Sequence, residues 1–141
     1  IWLSQEVGAL SLDLATAQAI IAASHEKARE LGILVTTAVV DAHGDLVALG
    51  RMEGARSLTI KIAGAMAHTS AAFRANGADL MKYAGSPWFD SYRLMEGGRI
   101  LPASGGMLIW IGGELVGAMG VSGGSDAQDK QCSEAALAAI A

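Results

Sequence analysis

The sequence predicts an α+β fold in which helices cover an antiparallel sheet. Apolar, β-branched runs come in two pairs, at 34–51 and 107–122, each joined by a short turn-forming stretch. Such hairpins imply antiparallel pairing. Segments with apolar residues at helical spacing lie before, between and after the two pairs. The strands look apolar on both faces, so helices are expected on both.

The first helix is expected to begin at Ser11 as N-cap, with Asp13 in the first turn where negative charge suits the helix dipole. Leu14, Ala17, Ile20, Ser24, Ala28 and Leu31 then share one side, and Gly32 is a natural stop. His25 falls at the edge of that face. The run LVTTAVVD from 34 to 41 reads as a strand buried on both faces, and LVALGR at 46–51 returns after the turn residues Asp41 to Asp45. His43 sits at the tip of that turn, where a histidine is expected to be solvated.

Ser57 can cap a second helix, predicted to end at Asn76-Gly77. Its residues Gly64, Ala65, Ala67, Ala71 and Ala72 keep it slim enough to lie close against a sheet, and His68 lies among them. Residues 78–84 read as a short helix. Ser86-Pro87 starts another, with proline at the first helical position, closing at Gly97-Gly98. It concentrates Trp88, Phe89 and Tyr92 in a chain that is 5% aromatic, so it suits either a helix pinned by its rings or a lid over an apolar ligand. MLIWI at 107–111 pairs with ELVGAMGV through Gly112-Gly113, and Ser125 with Gln128 forms a capping box for the last helix.

At 141 residues the chain suits a single domain, 1–141. Hydrophobic residues make up 52% and charged ones 17%, a surplus expected to cover a homo-oligomer interface or to line a pocket. The net charge is −4 with basic residues scattered, which argues against a nucleic-acid partner. No run approaches the roughly 20 apolar residues of a membrane span. IWLSQEVGALS does not read as a signal peptide, so a cytoplasmic location is the expectation. The single Cys132 and three separated histidines point to no dedicated metal site.

The stretch GGELVGAMGVSGGSDAQD at 112–129 resembles the signature of the GlcG/HbpS family of haem-degrading or haem-binding domains, found also as the C-terminal domain of PduO proteins. The helix AQAIIAASHEKARELGI, the hairpin VVDAHGDLVALGRMEGA and Gly105-Gly106 before MLIWI match in order, so the resemblance covers essentially the whole chain. It implies a profilin-like α-β-α sandwich around an antiparallel sheet, assembled as homo-oligomers, with haem as a possible cofactor. The chain departs from the family's K-A-x-T-A-x-x-F run. Met66 stands in place of the lysine, and His68 follows two residues on. That substitution and the segment SPWFDSYRLMEGG suggest a respecialised pocket.

Two readings follow for a small-molecule ligand or substrate. One is a small-molecule-binding protein of haem-binding type with a histidine as axial ligand. The other is a small cofactor-independent catabolic enzyme, an isomerase, lyase or hydrolase acting on a small organic acid. There His68 and Glu96 would be acid and base, and Arg93 or Arg51 would hold a carboxylate. Asp41, Arg51, Trp88, Tyr92, Ser122, Gly123 and Gly124 are candidate ligand-binding residues. The glycine corner at 122–124 is expected to form a pocket wall opposite His68, with backbone N–H groups at the start of the last helix available to an anion.

Overall fold

The structure is a computed structural model that describes residues 11–141; the assessment of 1–10 as lacking a signal peptide falls outside them. The order is α1 (Leu14–Leu31), β1 (Thr36–Asp41), β2 (Leu46–Arg51), α2 (Leu58–Phe73), α3 (Gly77–Leu80), a 3₁₀ turn (Met81–Tyr83), α4 (Pro87–Met95), β3 (Met107–Ile111), β4 (Glu114–Ser122) and α5 (Asp126–Ile140). The four strands form one antiparallel sheet in the order β2-β1-β4-β3. The α+β expectation holds, and both predicted hairpins form. Among the described residues no helix is long and apolar enough to cross a membrane.

Alternation along the central strands sorts side chains to two different covers. Val39, Met119 and Val121 face α1 and α5, where Ile20, Cys132 and Ala136 complete a bulky core. Ala38, Val40 and Ala118 face α2, whose contribution is Ala63, Ala67 and Ala71. Each cover is tied to β1 by a buried hydroxyl pair. Ser24 Oγ meets Thr37 Oγ1 at 2.7 Å on the α1 side, and Thr36 Oγ1 meets Thr59 Oγ1 at 2.7 Å on the α2 side.

Two boundaries differ from expectation. The N-cap of α1 is Asp13, not Ser11: its carboxylate accepts from Thr16 N at 2.7 Å, so the acid itself terminates the helix. Helix α2 ends at Phe73 rather than at Asn76-Gly77, with Arg74 in the left-handed conformation at φ 51°. Asn76 is used elsewhere, because its Oδ1 accepts from Leu108 N at 2.9 Å and ties the loop to β3. Ser57 occupies the N-cap position of α2, but its side chain makes no capping bond. The capping box of Ser125 and Gln128 on α5 is formed as expected.

Gly120 lets α2 approach. A Cβ there would lie 2.3 Å from Ala63 O and 2.8 Å from Met66 Cβ, so only glycine fits beneath the helix. Gly64, next to Ala63 on the same helix, has open space where its side chain would be. Chemical denaturation should separate the two: Gly120→Ala is expected to destabilise by about 1–3 kcal/mol through overpacking. Gly64→Ala should stabilise by up to about 1 kcal/mol through helix propensity. Equal effects at both positions would refute the close-approach account.

Candidate functional site

A cleft of about 620 Å³ opens on the α2 face of the sheet, at the end where β1 turns into β2. Val40, Leu46 and Leu49 form its floor, Ile60, Gly64 and Ala65 its α2 wall, and the 97–99 turn its far rim. The small residues of α2 cannot fill this space. His68, on the same helix, reaches into it.

His68 Nε2 lies 2.9 Å from Glu96 Oε2, and Arg99 Nη2 donates to the same oxygen at 3.0 Å. The hydrogen bond from His68 holds the Glu96 carboxyl below its ordinary value, and Arg99 adds to the effect. A carboxylate only accepts, so Nε2 carries a proton, and in the neutral ring the lone pair is then on Nδ1. That Nδ1 is buried with no hydrogen-bond partner. Gly44, at φ 88°, packs over it, and a Cβ there would lie 3.0 Å from Nδ1.

The structure brings together His68 and Glu96 as expected, but not Arg93. Arg93 is half-exposed on α4 and lies 3.8 Å from Asp90. Arg99 is the arginine that reaches Glu96; Arg93 lies at the same spacing of three residues on the other side, so spacing alone did not separate the two. Lys61 and Gly44 also line the cleft and were not singled out from the sequence.

The other candidates lie elsewhere. Asp41 serves the hairpin turn, accepting from His43 N at 2.9 Å and Asp45 N at 3.1 Å. His43 is exposed. Arg51, at the far end of the hairpin, donates to Ala55 O at 3.1 Å. Trp88 and Tyr92 belong to an aromatic stack in which Phe73, Phe89 and Tyr92 meet at 5.5 Å and 6.1 Å between centroids. Only Phe89 of these is fully buried, so α4 is pinned by one ring and leaves the others half-exposed. His25 packs on Gly50 beneath α1; its Nε2 lacks a partner and burial lowers its pKa.

Ser122, Gly123 and Gly124 line a different cleft, near the start of α2, and do not face His68. The amide donors around this corner are also occupied. Gly124 N donates to Asp129 Oδ1 at 2.8 Å, Ser125 N to Gln128 Oε1 at 3.0 Å and Gln128 N to Ser125 Oγ at 3.2 Å. These corner and capping amides are therefore taken by side chains of α5 and its cap rather than left to a ligand.

The family model described as haem degrading protein HbpS-like matches residues 12–138. The chain belongs to the HbpS-like family. It is 30% identical over 139 residues to the corrinoid adenosyltransferase PduO of Salmonella typhimurium, covering 97% of this chain and 41% of that protein. It thus spans about two fifths of that relative's length. It is 32% identical over 136 residues to a 15.0 kDa protein from the dhaT-dhaS intergenic region of Citrobacter freundii, covering 95% of this chain and 94% of that one. Among solved structures, the PduOC–haem complex superposes with a TM-score of 0.85 at 28% identity, covering 93% of this chain and 96% of that one. The expected family resemblance is confirmed.

Asp129 supplies a pH signature for the corner. Burial pushes its carboxyl up to about 6, opposed by the Gly124 amide and assisted by Asp126. A raised carboxyl pKa means the folded state holds the proton more tightly than the unfolded chain. This contribution is full below about pH 3.8 and is lost as pH rises through about 6. His25, with its lowered pKa, acts in the opposite sense, its contribution being full above its unfolded value of 6.5 and lost as pH falls below it towards the lower folded value. Melting temperatures of wild type and Asp129→Asn across pH 4–7 should show the variant gaining stability relative to wild type as pH rises. A constant difference would remove Asp129 as the cause.

Proposed function

We propose that the protein binds a planar, largely apolar small molecule bearing anionic groups, of haem type, in the cleft between the hairpin tip and α2. The observation that carries this reading is the apolar floor of Val40, Leu46 and Leu49 meeting two rim cations, Lys61 and Arg99, in one cleft. Its volume of about 620 Å³ falls within the range of small-molecule sites. Membership of the HbpS-like family and likeness to a protein crystallised with haem support the same ligand class.

The donor set fits the macrocycle and its carboxylates better than it fits the iron. Neither His68 nitrogen is open to a metal, since Nε2 is held by Glu96 and Nδ1 is buried behind Gly44. His68 is therefore a wall of the site, fixed in place by its carboxylate, and Lys61 and Arg99 are the residues that would meet ligand carboxylates. Met66 supports a pocket respecialised from the family pattern. It is 4% exposed and packed at Gly120, so the position where the family carries lysine adds no charge here. The exposed Trp88, Tyr92, Leu94 and Met95 of α4 support assembly into a homo-oligomer.

The His68–Glu96 pair favours a second reading, as a catabolic enzyme in which the carboxylate orients the imidazole and Nδ1 accepts a substrate proton after ring movement. Deuterium exchange into small organic acids, abolished by His68→Gln, would be its signature.

Hemin titration tests the first reading. Wild type is expected to shift the Soret band, and the double variant Leu49→Arg, Lys61→Glu to bind at least about tenfold more weakly, matching the loss of one buried contact and one charge pair. His68→Ala should leave the position of the bound band unchanged. Absence of any shift in wild type overturns the proposal, and a band displaced by His68→Ala overturns the role given to His68.

A further inference from the structure

We propose that the second cleft, at the start of α2, is a separate binding site for a small carboxylate with an apolar body. This goes beyond the haem-type reading and does not rest on it. The cleft has a volume of about 560 Å³ and lies at the opposite end of the α2 face from His68. Ile33, Leu34, Leu58 and Ile62 form its apolar wall, and Arg56 and Ser122 supply its polar groups.

Three features give it anion character. First, α2 presents an uncompensated N-terminus: Ser57 makes no side-chain cap, and no acid occupies the first turn. Thr59 N and Ile60 N turn back on Arg56 O and Ser57 O at 3.0 and 3.1 Å, so what the helix start offers the cleft is the positive end of its dipole. The contrast with α5, whose first turn holds two acids and a complete capping box, is internal to the chain.

Second, Ser122 is only 6% exposed, yet its hydroxyl, which borders the cleft, makes no hydrogen bond to another described residue. An unpartnered hydroxyl at the cleft wall is available to a ligand oxygen. The neighbouring hydroxyl of Thr59 is already committed, to Thr36 Oγ1 at 2.7 Å and to Arg56 O. Third, the Arg56 guanidinium has no ion pair with a described residue. Arg51 nearby is turned to Ala55 O, and Glu53 of the same loop does not line the cleft. A guanidinium, a free hydroxyl and a helix N-terminus together match a carboxylate, while the four aliphatic side chains match a hydrocarbon tail.

The corner residues Gly123 and Gly124 set the depth of the cleft. A Cβ on Gly123 would lie 2.1 Å from Leu34 O, so β4 and the residues before β1 close against each other there without side chains between them.

Hexanoate is the probe, with hexanamide as its neutral counterpart, each titrated into ¹⁵N-labelled full chain and followed by amide shifts. The expected result is saturable movement of the Leu58, Thr59, Ser122, Gly123 and Gly124 amides, with hexanamide at least about tenfold weaker, since it lacks the charge that Arg56 meets. Arg56→Gln alters an exposed side chain and should retain the folded spectrum while weakening hexanoate about tenfold. His68→Ala should leave hexanoate binding unchanged. Equal binding of acid and amide, unchanged affinity in Arg56→Gln, or shifts confined to Gly44, His68 and Arg99 would each overturn the second site.

Discussion

The close seating of α2 on the sheet is the constraint on which the rest of the molecule depends. One face of β1 and β4 meets a helix that offers almost only Ala63, Ala67 and Ala71, and Gly120 removes the last side chain that would hold the two apart. The opposite face is packed by larger residues from α1 and α5. Dense packing in the middle with small residues leaves no bulk to fill the periphery. Space consequently appears on two sides of α2, one running from Ile60 to His68 and the other bordered by Arg56 and Leu58.

The two clefts differ in chemistry for reasons set by the helix itself. Near its C-terminal half, His68 is clamped by a carboxylate supplied from the segment after α4, so this cleft is organised by side chains from distant parts of the chain. At its N-terminus the groups bordering the cleft are Arg56, just before the helix, and the positive end of the helix dipole. The glycine corner contributes shape rather than charge, because Asp129, Gln128 and Ser125 consume its donors. The raised pKa of Asp129 is the electrostatic mark of that burial.

Much of this was legible in residue types. β-Branched runs around Gly112-Gly113 and Asp41–Asp45 specified hairpins locally, and the slimness of α2 could be read from its alanines. The capping box of α5 was equally local. Less legible were choices between neighbouring residues of similar chemistry. Asp13 took the cap from Ser11 because it lies directly before the first helical turn, three residues ahead of the amide it receives. Asn76 was drawn from helix termination to β3 by a partner thirty-two positions away. The structure joins His68 to Glu96, and the arginine that reaches this carboxylate is Arg99, because Arg93 is turned toward Asp90 on its own helix.

The sequence by itself determined the elements, their antiparallel pairing and the family, since each follows from periodicity, turn chemistry and contiguous motifs. Only the tertiary structure decided that the glycine corner and His68 belong to different clefts. They come from one hairpin strand and one helix that cross the same sheet face, and no local pattern records which end of that face each reaches. Distance along the chain carries no information about it. The packing of α2 across β1 and β4 does, because that geometry places residue 68 at the hairpin tip and residue 122 at the other end of the sheet.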